Sequence, residues 1–170
     1  MKIEYTPIGI IHSPFADLAQ MPIQPRGEAS APGTVEIFPE YADGLRDLDG
    51  FSHILLLYHF HKAGKHRLLV TPFLDSQPHG IFATRAPLRP NPIGLSVVRL
   101  TAIEVLQPSA QDKIHLLHVE DLDILDGTPL LDIKPFIPAF DWQSEARIGW
   151  LEGVIGNAGR TVSDDRFTEG

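Results

Sequence analysis

The chain contains no cysteine. Disulfides, thiolate metal sites, iron–sulfur clusters and a cysteine nucleophile are therefore excluded. The same absence fits a cytoplasmic protein in a reducing compartment. No apolar run approaches the ~20 residues that a helix needs to cross a bilayer, so no membrane partner is expected. Met1–Ile10 has no basic region followed by an apolar core, so no secretory signal is expected either. Positive charge is scarce: 14 Lys and Arg stand against 22 Asp and Glu, a net charge of −8. A phosphate-binding surface needs Lys and Arg. Any RNA contact must therefore use a local basic cluster, and Lys62, Lys65, His66, Arg67, Arg85, Arg89 and Arg99 fall in the middle third. No strand candidate is followed by Gly-x-Gly, which leaves a dinucleotide fold unsupported. Neither a phosphate-binding P-loop nor a Gly-x-Ser-x-Gly elbow is present.

What the chain has in quantity is punctuation. Fifteen prolines and fourteen glycines in 170 residues break it into short pieces. That disfavours long helices and favours a β-rich domain. Strands are expected at Tyr5–His12, Gly33–Phe38, Phe51–Phe60 (where Leu55–Leu57 would also suit a helix), His66–Thr71, His79–Ala83, Gly94–Val105, Lys113–Val119 and Thr128–Ile133. One short helix is expected at Pro39–Leu48, with proline at its start. Many short strands with few crossover helices point to a mainly β barrel or sandwich. The organisation reads as one domain over 1–141 and a C-terminal tail over 142–170. Trp142, Ile148, Trp150 and Leu151 would pack the first part of the tail. Arg160–Gly170 reads as a polar, mobile end.

The segment from Gly80 to Ser96 carries the most chemistry. Pro87, Pro90 and Pro92 cannot pair in a sheet interior, because proline lacks a donor and fixes φ. A stiff loop between strands follows, bearing Thr84, Arg85, Arg89 and Asn91. Such a loop loses little entropy when it holds a ligand. By itself it is equally a proline-rich connection with solvated arginines.

Phe82-Ala-Thr-Arg85 followed by Arg89-Pro-Asn-Pro-Ile-Gly94-Leu-Ser96 resembles the signature of the TrmO (TsaA-like) family. The likeness runs from about Ile8 to Asp141. Further blocks are Ile8-Gly9-Ile10-Ile11-His12-Ser13-Pro14, Gly50-Phe51-Ser52-His53, Phe60-His61, Leu122 to Pro129, and Asp132-Ile133-Lys134-Pro135. The resemblance implies a single-sheeted β-barrel with one or two short helices, forming a homodimer. It implies S-adenosyl-L-methionine as cofactor and tRNA as partner. The activity implied is N6-methylation of N6-threonylcarbamoyladenosine beside the anticodon.

Carried over by position, the family's cofactor contacts fall on several segments. Its Pro-Arg-Gln lies on Pro22, Ile23 and Gln24, where Ile23 replaces the arginine and Arg26 is the candidate substitute. Its His-Gln lies on His61 and Lys62. Its loop arginine is Arg85, and the residue after the loop glycine is Leu95. Its stretch before the Asp-Gly-Thr-Pro turn lies on Glu120, Asp121, Leu122 and Asp123. Asp123 is the candidate base, with Asn91 beside it in catalysis. Arg26, Arg89, Asn91 and Arg99 are the candidates for holding substrate.

The histidines and aspartates allow other readings. His59 and His61 at i, i+2 would share a strand face and could ligate a metal, but no His-Glu-x-x-His or carboxylate partner surrounds them. His61 is read as a polar contact near the cofactor and no metal is assigned. His12 and His53 are read equally well as polar contacts or as structural, satisfied by backbone carbonyls. Asp126-Gly127 reads as a hairpin turn. Two other functions stay in view: a non-catalytic S-adenosylmethionine-binding module, and a histidine-based metal-dependent hydrolase.

Overall fold

A computed structural model describes residues 2–18, 21–23, 31–109, 113–158, 160–164, 166 and 167. The strands are β1 (Gly9–His12), β2 (Ala31–Ile37), β3 (His53–His59), β4 (Leu69–Val70), β5 (His79–Gly80), β6 (Ile93–Leu106), β7 (Ile114–Leu122) and β8 (Thr128–Pro135). Six of them close an antiparallel barrel in the order β1-β2-β7-β6-β3-β8, and β4 and β5 pair separately. This is the expected mainly β barrel. No helix among the described residues is long and apolar enough to cross a membrane.

Alternation builds the core. On β3 the inward set is Ile54, Leu56 and Tyr58; on β6 it is Gly94, Ser96, Val98 and Leu100. Ile11, Val35, Ile37, Leu117, Val119, Leu122 and Leu130 complete the interior. Each such aliphatic side chain withdrawn from water stabilises the fold by about 1.5–3 kcal/mol.

Two connections run across the barrel rather than around it. β7 and β8 stand three strands apart in either direction round the ring, as do β2 and β3. Asp123–Gly127 must therefore span one end of the barrel. Ile124 and Leu125 are buried there and plug it. This corrects the hairpin expected at Asp126-Gly127: the turn is present, with Gly127 at φ 72°, but the strands it joins are not neighbours.

The opposite end is crossed by the segment between Ile37 and His53. The single helix expected at Pro39–Leu48 is two 3-10 turns, Pro39–Leu45 and Leu48–Gly50, separated where Asp47 takes φ 64°. Leu48 is buried, with Tyr41 and Leu45 packed on the core. A cleft of about 570 Å3 lies at this end, lined by Ile8, Tyr41, Leu45, Phe51 and Ile133 among others.

Of the tail residues expected to pack, Trp150 and Leu151 are partly buried. Trp142 is 70% exposed and Ile148 is 45% exposed, whereas Phe167 is 7% exposed. Phe167 sits in a second small core with Val70, Ile81, Ala86 and Leu88. The polar stretch from Arg160 carries one aromatic side chain, and that side chain decides where it packs.

Candidate active site at the plugged barrel end

All the loops that carry the candidate residues leave the same end of the barrel. There β1, β3 and β7 finish and β2, β6 and β8 begin. Three stretches meet: the β1–β2 connection, the β3–β6 excursion, and the Asp123–Gly127 crossing.

Asp123 sits at the centre of this end. Asp121 takes a left-handed φ of 65°, and the inward phase shifts from Val119 to Leu122. The chain then enters the crossing, where Asp123 lies beside the start of β6. Ser96 Oγ donates to Asp123 Oδ1 at 2.6 Å. The Tyr58 hydroxyl lies 3.1 Å from the same Ser96 Oγ. A serine hydroxyl has one proton, so Tyr58 donates to Ser96 and Ser96 donates to Asp123.

Burial pushes the Asp123 carboxyl up to about 6, opposed by the Ser96 hydrogen bond and the Arg85 charge. Burial, reinforced by the Asp123 charge, also holds the Tyr58 phenol well above its ordinary value. Tyr58 therefore stays a neutral donor, while Asp123 is a carboxylate at neutral pH with more basicity than an exposed one. Arg85 is exposed, and its charge is felt by both groups.

Gly94 is part of the same construction. A Cβ there would lie 2.2 Å from Tyr58 Cε2 and 2.4 Å from its Cζ. The bare backbone of β6 lets the Tyr58 ring lie flush and reach Ser96. The glycine is needed for close approach, not for an unusual φ.

His61 borders this cluster. Its Nδ1 lies 3.3 Å from Thr128 Oγ1, which itself donates to the Leu125 carbonyl at 2.6 Å. Burial first, then the Lys62 and His59 charges, lower its pKa. At neutral pH His61 is thus a neutral imidazole. His59 and His61 do not share a strand face, because β3 ends at His59. Among the described residues no three His, Asp or Glu side chains converge as a metal site. His12 is held by side chains rather than carbonyls, with Nε2 at 3.3 Å from Glu36 and Nδ1 at 3.7 Å from Asp126. His53 Nδ1 similarly faces Ser52 Oγ at 3.0 Å.

The remaining candidates are dispersed. Arg89 Nη1 donates to the Ile81 and Thr84 carbonyls at 3.0 and 2.9 Å, and its guanidinium lies 5.8 Å from the Phe82 ring centroid. It stiffens its own loop. Asn91 is exposed in the turn before β6, where its carbonyl accepts from Ile93 N–H at 2.8 Å. Leu95 points outward, 44% exposed. Arg99 pairs with Glu120 on the barrel wall. Leu122 is fully buried, so only its backbone can meet a ligand. Lys62 is exposed. Pro22 is buried and bridges to Val162, and Ile23 is partly buried beside it. Gln24 and Arg26 lie outside the described residues.

Tyr58, Ser96 and Thr128 escaped the sequence reading as site residues. The signal was a hydroxyl at an inward position of an otherwise apolar strand face, since a buried polar group needs a partner.

Comparison with known proteins identifies the family. Residues 10–142 match the family described as tRNA-methyltransferase O N-terminal domain. The chain is 51% identical over 167 residues to a probable S-adenosyl-L-methionine-binding protein of Pyrococcus abyssi, covering 98% of this chain and 86% of that one. It is 38% identical over 159 residues to the tRNA (adenine(37)-N6)-methyltransferase of Escherichia coli, covering 90% of this chain and 66% of that one. The crystal structure of TrmO from Pseudomonas aeruginosa superposes with a TM-score of 0.67 at 37% identity, over 88% of this chain and 63% of that one. This chain therefore spans somewhat less than two thirds of the two bacterial proteins. The barrel, the loop that stiffens its rim and these matches together make the chain a member of the tRNA-methyltransferase O family.

Proposed function

We propose that the chain is an S-adenosylmethionine-dependent methyltransferase that methylates the N6 position of N6-threonylcarbamoyladenosine beside the anticodon of tRNA. The observation that carries this reading is Asp123: a desolvated carboxylate at the plugged barrel end, held by Ser96 and facing the charge of Arg85.

The donor set fits the cofactor. Asp123 offers negative charge for its cationic part, Arg85 offers a guanidinium for its carboxylate, and His61 offers a neutral ring nitrogen. When bound, the cofactor supplies a methyl group on an electrophilic sulfonium. Asp123, Arg85 and His61 would hold that group, and its methyl would pass to the acceptor nitrogen, leaving the sulfur as a neutral thioether. The proton lost from nitrogen goes to Asp123, whose value of about 6 suits a base working near neutral pH. The protein's other task is alignment of nitrogen, carbon and sulfur. Arg85 and His61 serve it from the rim, with the loop clamped by Arg89.

Substrate binding is the work of the rim. Phe82 is 77% exposed, with Arg89 against its ring and Arg85 nearby in the same loop. An aromatic face flanked by cations is the kind of surface on which unstacked bases of single-stranded RNA loops rest. The substrate places the reaction in the cytoplasm. A homodimer would use the outer wall of β6, where Ile93 and Leu95 are 36% and 44% exposed.

The test is transfer of a labelled methyl group from S-adenosylmethionine to tRNA from a strain lacking the modification, followed by nucleoside mass spectrometry. Label in N6-threonylcarbamoyladenosine is expected. A second reading, a binding module without turnover, is favoured by the name of the Pyrococcus relative. Calorimetric binding of the cofactor with no label transferred to any tRNA decides for it.

A further inference from the structure

The C-terminal segment crosses back over the two loops that the proposed cofactor site depends on. Trp150 stacks on His79 with centroids 4.3 Å apart, and its indole Nε1 donates to the Ala83 carbonyl at 2.8 Å. Arg166 Nη1 donates to the Pro72 carbonyl at 3.2 Å, and its guanidinium lies over the Phe73 ring at 4.8 Å. Phe167 meets Phe73 edge-on at 5.0 Å and buries itself against Ile81, Ala86 and Leu88. On the other side, Ser163 N donates to the Met21 carbonyl at 2.8 Å, Ser163 Oγ bonds the Leu18 carbonyl, and Val162 bridges to Pro22.

Those contacts touch the β3–β6 excursion that carries Arg85 and the segment that carries Pro22 and Ile23; none of them touches a barrel strand. The core around Phe167 is separate from the barrel core. The segment itself lies beyond residue 142, where the family match ends. From these observations we infer that the C-terminal segment is a strap that positions the cofactor loops, with Phe167 and Trp150 as positioning residues for S-adenosylmethionine.

The physical reason is entropy. The loop is held locally by Thr84 and Arg89, whose bonds are internal to it. Internal bonds stiffen a loop without fixing where it stands. The strap supplies that anchor, and ordering done in advance need not be done on binding. The inference rests on the cofactor reading above.

The experiment compares the full chain with its Phe167→Ala and Phe167→Leu variants. It measures S-adenosylmethionine affinity by calorimetry and amide exchange at Ile81, Ala86 and Arg89 and along β3, β6 and β7. Phe167→Ala is expected to weaken the cofactor about tenfold. It should speed exchange in the loop and leave the barrel strands protected. Phe167→Leu should recover most of the affinity. Unchanged affinity in Phe167→Ala overturns the strap alone. So does loss of protection throughout the barrel, which would make Phe167 part of the general core. If the parent chain binds no S-adenosylmethionine, the cofactor reading fails and the inference falls with it.

Discussion

Ser96 gives its hydroxyl proton to Asp123 across 2.6 Å while accepting from Tyr58 at 3.1 Å. The serine thereby holds the Asp123 carboxyl below where burial alone would push it. Ser96→Ala should raise the Asp123 value above about 6 and move the acidic limb of the pH–rate profile upward. It also leaves the buried Tyr58 hydroxyl unpaired, costing on the order of 1–3 kcal/mol. A pH–rate series and a urea titration measure both effects. An unmoved limb contradicts the coupling.

Asp123 trades stability for basicity. Its folded value of about 6 lies above the ordinary 3.8, so the native state binds the proton more tightly than the unfolded chain. The stability contributed by this group is fully present below about pH 4 and is lost as pH rises through about 6. Asp123→Asn should therefore stabilise the protein at pH 7.5, by on the order of 2 kcal/mol. It should also lower kcat by roughly 100-fold or more. Thermal melts at about pH 3.5 and 7.5 separate the two, because the gain should be near zero at the lower pH and full at the higher.

Gly94→Ala places a methyl group within 2.2 Å of the Tyr58 ring. The ring must shift, since position 94 is fixed on a strand that pairs with β3. A stability loss of about 1–3 kcal/mol is expected. Activity should fall further than stability explains, because displacing Tyr58 disturbs Ser96 and Asp123. Crystallography of the variant checks the ring position directly.

Phe82→Ala should separate RNA from cofactor. The ring is 77% exposed, so its loss should leave the melting temperature nearly unchanged. A stacked base is worth about 1–3 kcal/mol, so KM for tRNA should rise about tenfold or more. The S-adenosylmethionine affinity should stay at the parent value. Phe82→Trp should preserve RNA binding, and equal losses in Phe82→Ala and Phe82→Trp would remove stacking as the reason.

Much of the barrel was legible because strand period is local. Gly33–Phe38 alternates, and β2 runs through it with Val35 and Ile37 inward; Phe51–Phe60 is an apolar run, and β3 there turns Ile54, Leu56 and Tyr58 inward. The stiff loop was legible for the same kind of reason, since Pro87, Pro90 and Pro92 act on their own backbone. His66–Thr71 shrank to Leu69–Val70 because this pair lies outside the barrel and has only β5 to bond. The Tyr58–Ser96–Asp123 chain was not legible, because its members are 38 and 27 residues apart and meet only through strand register.

Sequence alone settled the β-rich class, the absence of thiol chemistry and the rigid polar loop from Gly80 to Ser96. Each depends on residue type or on neighbours along the chain. Tertiary structure alone decided that Asp123–Gly127 crosses the barrel instead of closing a hairpin, and that Phe167 folds back onto the loop. Both follow from burial. A strand order that separates β7 from β8 forces the crossing through the barrel end, and the one aromatic of the polar stretch from Arg160 goes to the apolar recess of Val70, Ile81, Ala86 and Leu88.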